Sequence, residues 1–309
     1  MRKVSIIGAG HVGATTAHIL ALKEIADVIL VDIIDGLPQG KALDMLEGRS
    51  LEGSDSNIVG TNSYDAIVDS EITIVTAGIA RKPGMSRLDL LQRNAQIITS
   101  VIESVVQNAP DTIILMVSNP VDVMTYLAYK RSGFESHRVF GQAGVLDSSR
   151  FKGFVASELG ISAKDVQAMV LGGHGDSMVP LPRYASVSGI PLHELLPDTT
   201  IERLVERTRK AGGEIISLMK TSSAYYSPAA AVVQMTEAIL KDKKRIVPAS
   251  AYLNGEYGLE DIYVGVPVIL GAKGVETILE LKLNDLELKA LKDSAAIYRD
   301  ALNKLGLRK

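Results

Sequence analysis

Two segments carry side chains that can act together: Gly172-Gly173-His174-Gly175-Asp176 and Leu146-Asp147-Ser148-Ser149-Arg150. A histidine exchanges a proton near neutral pH with little tuning. A carboxylate on its second ring nitrogen fixes the tautomer and stabilises the imidazolium. An arginine fork grips a carboxylate at two points. Each residue alone has a plainer reading. His174 could be a satisfied core or surface residue, Asp147 the N-cap of a helix over 148–159, and Arg150 a solvated side chain in that helix's first turn. However, His174 follows an apolar strand expected at 166–171, and strand ends carry sites in α/β folds. An arginine in a first turn also opposes the helix dipole, which favours a task beyond solvation. Together the three fit proton-coupled chemistry on a small carboxylic acid.

A second set sits at the N-terminus. Gly8-Ala9-Gly10-His11-Val12-Gly13 follows an apolar run at 4–7 and opens a helix over 11–21. The first glycine permits a tight turn, the second lets the backbone approach a pyrophosphate, and the third lets helix and strand pack closely. Asp32 lies 19 residues beyond Gly13, at the end of the next apolar run. A carboxylate there bonds ribose hydroxyls and repels a 2′-phosphate, which favours NAD over NADP. A glycine pair alone marks only a turn; the strand, the helix and Asp32 in register make it a dinucleotide fingerprint. Val117-Ser118-Asn119-Pro120-Val121-Asp122 ends a further strand, where Asn119 can offer an amide to a substrate oxygen or simply form a turn. Residues 78–87 hold Arg81, Lys82 and Arg87 around Pro83-Gly84. They read either as a solvated basic loop or as a lid that brings cations over a site and expels water.

The elements that must position these residues alternate through the first half. Strands are expected at 4–7, 27–31, 72–76 and 113–117, with helices at 11–21, 36–47 and 88–107. This order predicts an N-terminal Rossmann domain, a doubly wound parallel sheet with helices on both faces. From about residue 145 the pattern changes to helices at 148–159, 200–220, 228–240 and 284–305, with extended pieces at 167–171, 245–252 and 264–270. The fold class expected is α/β, with a nucleotide domain over 1–144 and an α+β substrate domain over 145–309. The chain has 309 residues, 46% of them hydrophobic, a formal net charge of −3 and no cysteine. That balance gives no basic footprint for nucleic acid and no pull toward anionic membranes. Disulfides, thiolate metal sites and cysteine nucleophiles are excluded, and no metal is expected. The chain enters its first strand directly, without a leader pattern, and has no run of about 20 apolar residues. A cytoplasmic address is therefore expected.

The blocks GAGHVG, VSNPVD, AGVLDSSR and GGHGD, with the lid segment RKPGMSRLDLLQRN, resemble the lactate/malate dehydrogenase family in order and spacing over essentially the whole chain. Within it they are most similar to the lactate-dehydrogenase-like, mostly prokaryotic malate dehydrogenases. The resemblance implies that His174 is the acid–base residue and that Asp147 orients it. It implies that Arg150 clamps the carboxylate beside the reacting carbon and that Arg87 polarises the carbonyl. Asn119 would touch substrate and nicotinamide. Asn94, Val117 and Ser118 would lie along the NAD, with Gly8, Ala9, Gly10, His11, Val12 and Gly13 around its phosphates and Asp32 at the ribose. Ser223 would line the substrate pocket. Ser222 and Ser227 depart from the pattern, which more often has glycine and alanine there.

Arg81 carries the substrate reading. The family's lactate dehydrogenases typically have glutamine at the matching position, and its malate dehydrogenases have arginine. Oxaloacetate carries a second carboxylate where pyruvate has a methyl, and in a closed, water-poor site that charge needs a cation. With pyruvate the same arginine would be left unpaired. The resemblance thus implies an NAD-dependent exchange of malate and oxaloacetate by a homo-oligomer, with a tetramer favoured over a dimer. The alternatives are lactate or another 2-hydroxy acid, and, in a different class, a module that senses NAD without chemistry. A sensor has no use for an Asp/His pair.

Overall fold

The computed structural model describes residues 2–79 and 87–308, apart from the side chain of Arg87. Short β-branched runs form six parallel strands: β1 (Lys3–Ile7), β2 (Asp27–Val31), β3 (Ile58–Thr61), β4 (Ile72–Val75), β5 (Ile113–Met116) and β6 (Val139–Gly141). They lie in the order β3-β2-β1-β4-β5-β6. Parallel neighbours need crossovers, supplied by α1 (His11–Leu22), α2 (Leu37–Glu52), α3 (Arg87–Asn108) and α4 (Val121–Ser132). Every residue of β4 and β5 is buried, as a sheet covered on both faces requires.

The second half begins with α5 (Gly144–Leu159). Five two-residue strands follow, β7 (Val166–Gln167), β8 (Val170–Leu171), β9 (Val179–Pro180), β10 (Ser186–Val187) and β11 (Ile190–Pro191). Then come α6 (Leu192–Leu195), α7 (Asp198–Met219), α8 (Tyr226–Leu240), a long antiparallel ribbon of β12 (Arg245–Asn254), β13 (Glu260–Gly271) and β14 (Gly274–Ile278), and α9 (Asp285–Lys304). Asn284 caps α9 reciprocally with Glu287, the pairing that stops two orphan amides from facing water alone.

The ribbon does not form a sheet of its own. β12 joins β6 in antiparallel fashion through Ser250 and Gly141, so nine strands run without a break from β3 to β14. Gly141 is required there: a Cβ would fall 2.7 Å from Thr125 Oγ1 and 3.0 Å from Ser250 Cβ. One core cluster spans both halves, with members from Val4 to Leu302. A smaller one, built on Phe151, Val166, Met178, Leu192 and Leu204, packs α5 against α7.

Several elements differ from the sequence expectations. The extended piece at 167–171 is split: β7 pairs with β10, and β8 with β9. The helix expected from 148 starts at Gly144, with Ala143 as its N-cap. Asp147 is therefore not the N-cap, and Arg150 lies in the second turn, so the dipole argument made for it does not hold. Among the described residues no helix is long and apolar enough to cross a membrane, and no His/Cys/Asp/Glu group is arranged to hold a metal.

Candidate active site

The glycine-rich turn is built as its spacing requires. Gly8 has φ +111°, and a Cβ there would lie 2.7 Å from Thr76 Oγ1. A Cβ on Gly13 would fall 1.9 Å from the Gly8 carbonyl oxygen, so α1 can cross β1 this closely only without one. Beside Gly10 there is open space, where an approaching pyrophosphate would meet the main chain and the amides of the α1 N-terminus. Asp32, at the end of β2, accepts from the Ala9 amide at 2.6 Å and from the Ile34 amide at 3.0 Å. Lys41 donates to the Ala9 carbonyl at 2.6 Å. The carboxylate thus also shapes the turn, and it remains half-buried at the strand end where a ribose would lie. His11, the first residue of α1, is exposed and stacks on Tyr225 with ring centres 4.9 Å apart.

A cleft of about 490 Å³ opens beyond this turn. Val12, Asn94, Val117, Ser118, Asn119, His174 and Ser223 are among the residues that line it. Asn94 is 3% exposed, and its amide is committed to main chain: it accepts from Ile79 N (2.9 Å) and donates to Asn119 O (3.1 Å). It therefore shapes the cleft wall rather than offering a free donor. Ser118 donates its hydroxyl to the Ala77 carbonyl. Ser222 turns away, with its hydroxyl 3.8 Å from Met219 Sδ.

A nicotinamide dinucleotide fits these residues: Gly10 leaves open space at the start of α1, and Val12, two residues on, lines the cleft. Gln142 adds a further indication. It is 2% exposed, lines the same cleft, and its Nε2 has no hydrogen-bond partner. Such a donor is costly unless a polar group meets it.

His174 Nδ1 lies 2.8 Å from Asp147 Oδ2, and Arg150 donates to Asp147 Oδ1 at 3.1 Å. Asp147 is 2% exposed. One buried carboxylate therefore serves both the imidazole and the guanidinium, from successive turns of α5. Arg150 Nε is buried with no partner, and Gly212 on α7 leaves room beside the fork. The His174 pKa is raised. Burial favours the neutral ring, but the adjacent Asp147 charge and its hydrogen bond outweigh burial, with Asp122 assisting and Arg150 opposing.

The glycines around His174 do more than loosen the chain. Gly172 exchanges two main-chain hydrogen bonds with Gly265 of β13, at 2.9 and 3.1 Å. Gly173 donates to Ser294 Oγ of α9 at 2.9 Å, and a Cβ on it would strike the Tyr298 ring. The loop is thus clamped between β13 and α9, with the imidazole directed at the cleft.

Of the residues singled out by sequence, His174, Asp147 and Arg150 are brought together, and Asn119, Val117, Ser118, Asn94, Val12 and Ser223 share the cleft with His174. Gly8, Ala9, Gly10, His11, Gly13 and Asp32 form the turn beside it. Arg81 and the Arg87 side chain lie outside the described residues. Sequence reasoning passed over Gln142, Asp122 and Ser250. The signal for Gln142 was its place one residue past a glycine at a strand end, four before Leu146-Asp147.

Residues 2–141 match the family model described as lactate/malate dehydrogenase, NAD binding domain, and residues 144–306 match that of the alpha/beta C-terminal domain. The chain is 55% identical to a malate dehydrogenase of Methanosarcina barkeri over 99% of its own length and 100% of that protein's. The solved malate dehydrogenase of Salinibacter ruber superposes with a TM-score of 0.94 at 52% identity, covering 98% of this chain and 97% of that one. A lactate dehydrogenase of Cryptosporidium parvum, solved with lactic acid and β-nicotinamide adenine dinucleotide, gives 0.95 at 44%, covering 100% and 99%. With a glycine-rich turn after β1, a histidine paired with a buried carboxylate and family-model matches over both halves, the chain belongs to the lactate/malate dehydrogenase family.

Proposed function

We propose that this chain is an NAD-dependent oxidoreductase that interconverts malate and oxaloacetate in the cytoplasm, with residues 1–144 holding the cofactor and 145–309 the substrate. The observation that carries the chemistry is the His174–Asp147–Arg150 group at one wall of the dinucleotide cleft. Relatives named malate dehydrogenase at 55–58% identity over nearly the whole chain support the substrate. Arg81 supports it independently, by charge.

NAD supplies the hydride acceptor, and NADH the donor, at the substrate's carbinol or carbonyl carbon. Asp147 holds Nδ1 and leaves Nε2 of His174 to give a proton to the carbonyl oxygen in reduction, or to take it from the hydroxyl in oxidation. Arg150, with its Nε free, takes the carboxylate next to the reacting carbon. Asn119 contacts the substrate oxygen, and the family resemblance assigns Arg87 to the carbonyl oxygen and Arg81 to the second carboxylate. Ser223 borders the substrate. Asp32 takes the ribose, and the turn from Gly8 to Gly13 takes the phosphates.

Steady-state rates with oxaloacetate and pyruvate, each with NADH and NADPH, test this reading. Oxaloacetate with NADH should be fastest; faster pyruvate turnover would make the chain a lactate enzyme and defeat the proposal. The pH dependence follows from the raised His174 pKa. Reduction needs the imidazolium, so its rate should fall only as pH rises through a value above the ordinary 6.5. Malate oxidation needs the neutral ring and should fall as pH drops through the same value.

We also propose a homo-oligomer, with a tetramer as the form. The apolar run at 229–235 is core, with Val232 and Met235 fully buried, whereas 215–219 is surface, with Ile216 51% and Leu218 75% exposed. Leu51 of α2 and Tyr226 of α8 are exposed as well, at 90% and 69%. Large apolar side chains exposed to this degree on three helices support burial against a second copy of the chain. Sedimentation at micromolar concentration should give four chains; a monomer would refute the assembly.

A further inference from the structure

One buried acid in the site has no part in the mechanism above. Asp122, in the first turn of α4, is 1% exposed. Its Oδ2 accepts from the main-chain amide of His174 at 2.9 Å, and its Oδ1 accepts from Ser250 Oγ of β12 at 2.7 Å. Ser250 is also the residue through which β12 pairs with β6. A single carboxylate thus ties α4, the seam of the sheet and the loop that carries the acid–base residue.

A buried carboxylate with two neutral donors is an expensive way to hold a loop. An asparagine or threonine would hold it without desolvating a charge. Burial pushes the Asp122 pKa up to about 6, against the pull of Ser250, the His174 amide and the His174 ring. Tyr298 of α9 also feels the Asp122 charge. The charged group that acts on Asp122 is His174, which in turn feels Asp147 and Arg150 of α5, while Asp147 and Asp176 act on the same Tyr298. Lys130 lies more than two turns farther along α4 and is paired with Asp261 of β13.

We propose that Asp122 is a positioning residue for the reaction: it fixes the His174 loop through the main-chain amide and places a second negative charge behind the imidazole, which favours the protonated ring. Asp147 holds the ring at Nδ1; Asp122 holds the main chain that carries the ring and adds to its basicity. The site therefore has two carboxylates around one imidazole.

This inference rests on His174 as acid–base residue but not on the identity of the keto acid, so its test does not depend on turnover. The His174 ring resonance is assigned by its loss in His174→Asn, and its titration is followed by NMR in the wild type and in Asp122→Asn. The amide of Asn keeps the shape, can still accept from the His174 amide and can donate to Ser250, but carries no charge. The His174 midpoint should fall by about one unit, and the alkaline limb of keto-acid reduction should move by the same amount, with the KM for NADH unchanged. Ser250→Ala removes a partner that keeps Asp122 ionised, and should shift the midpoint in the same direction by less. A merely structural role would lower kcat and leave the midpoint in place. An unmoved midpoint in Asp122→Asn, or in Ser250→Ala should the first variant not fold, overturns the proposal. A wild type that turns over pyruvate rather than oxaloacetate would defeat the malate reading and leave this result standing.

Discussion

His174→Asn should lower kcat for oxaloacetate reduction by about 10³- to 10⁴-fold while NADH binding stays intact. Asparagine can occupy the volume and accept a hydrogen bond, but it cannot deliver a proton. The cofactor turn, from Gly8 to Gly13 and on to Asp32, makes no hydrogen bond to His174, so affinity for NADH should not follow the rate. Stopped-flow turnover and a fluorescence titration of NADH on the same preparation give the two numbers. A variant within tenfold of the parent would mean that another group carries the proton. Asp147→Asn should come close to the same loss, because its carboxylate serves both the imidazole and the Arg150 fork. The double variant should then be little worse than either single one, as residues acting as a unit are not additive.

The second large effect concerns specificity. Arg81→Gln should cost oxaloacetate about 10²- to 10³-fold in kcat/KM, since a buried charge that loses its partner costs roughly 3–5 kcal/mol. Pyruvate should improve, because its methyl no longer faces an unmatched guanidinium. The ratio of the two kcat/KM values, measured side by side, is the readout. An unchanged ratio would show that residue 81 does not face the substrate. Arg81 stands two residues before Pro83-Gly84 and ahead of α3, and its charge balances the second carboxylate of oxaloacetate.

How much could be read from the chain depended on the kind of signal. β1, β2, β4 and β5 were legible because buried parallel strands are short β-branched runs, and α1 because the glycine spacing fixes where it starts. α4 was not, since nine of its twelve residues are buried, which leaves no 3.6-residue contrast between faces. Asn119-Pro120 in front of it also reads as a turn. β3 and β6 are four and three residues long, each with a glycine, too short for a period to show. α5 starts four residues ahead of the expected 148, at Gly144. That glycine is there because a Cβ would fall 2.5 Å from the Val170 carbonyl oxygen. In the site, His174, Asp147 and Arg150 were found from chemistry and spacing. Asp122 and Ser250 stand 128 positions apart, and nothing local in either segment predicts that they meet. Gly172 and Gly173, which precede His174, are packing requirements: a Cβ on Gly172 would lie 3.1 Å from Val179 Cγ2 and 3.2 Å from Ser294 Oγ, and one on Gly173 would strike the Tyr298 ring.

The unbroken nine-stranded sheet bears on how such a chain can be recombined. Its two halves meet at Gly141 and Ser250, where no Cβ fits on one side and a hydroxyl reaches on to Asp122 on the other. A cofactor half grafted from one relative onto a substrate half from another must match at this point in both shape and hydrogen bonding. Modular exchange across the family is thus limited by this facing pair as well as by the core that both halves share.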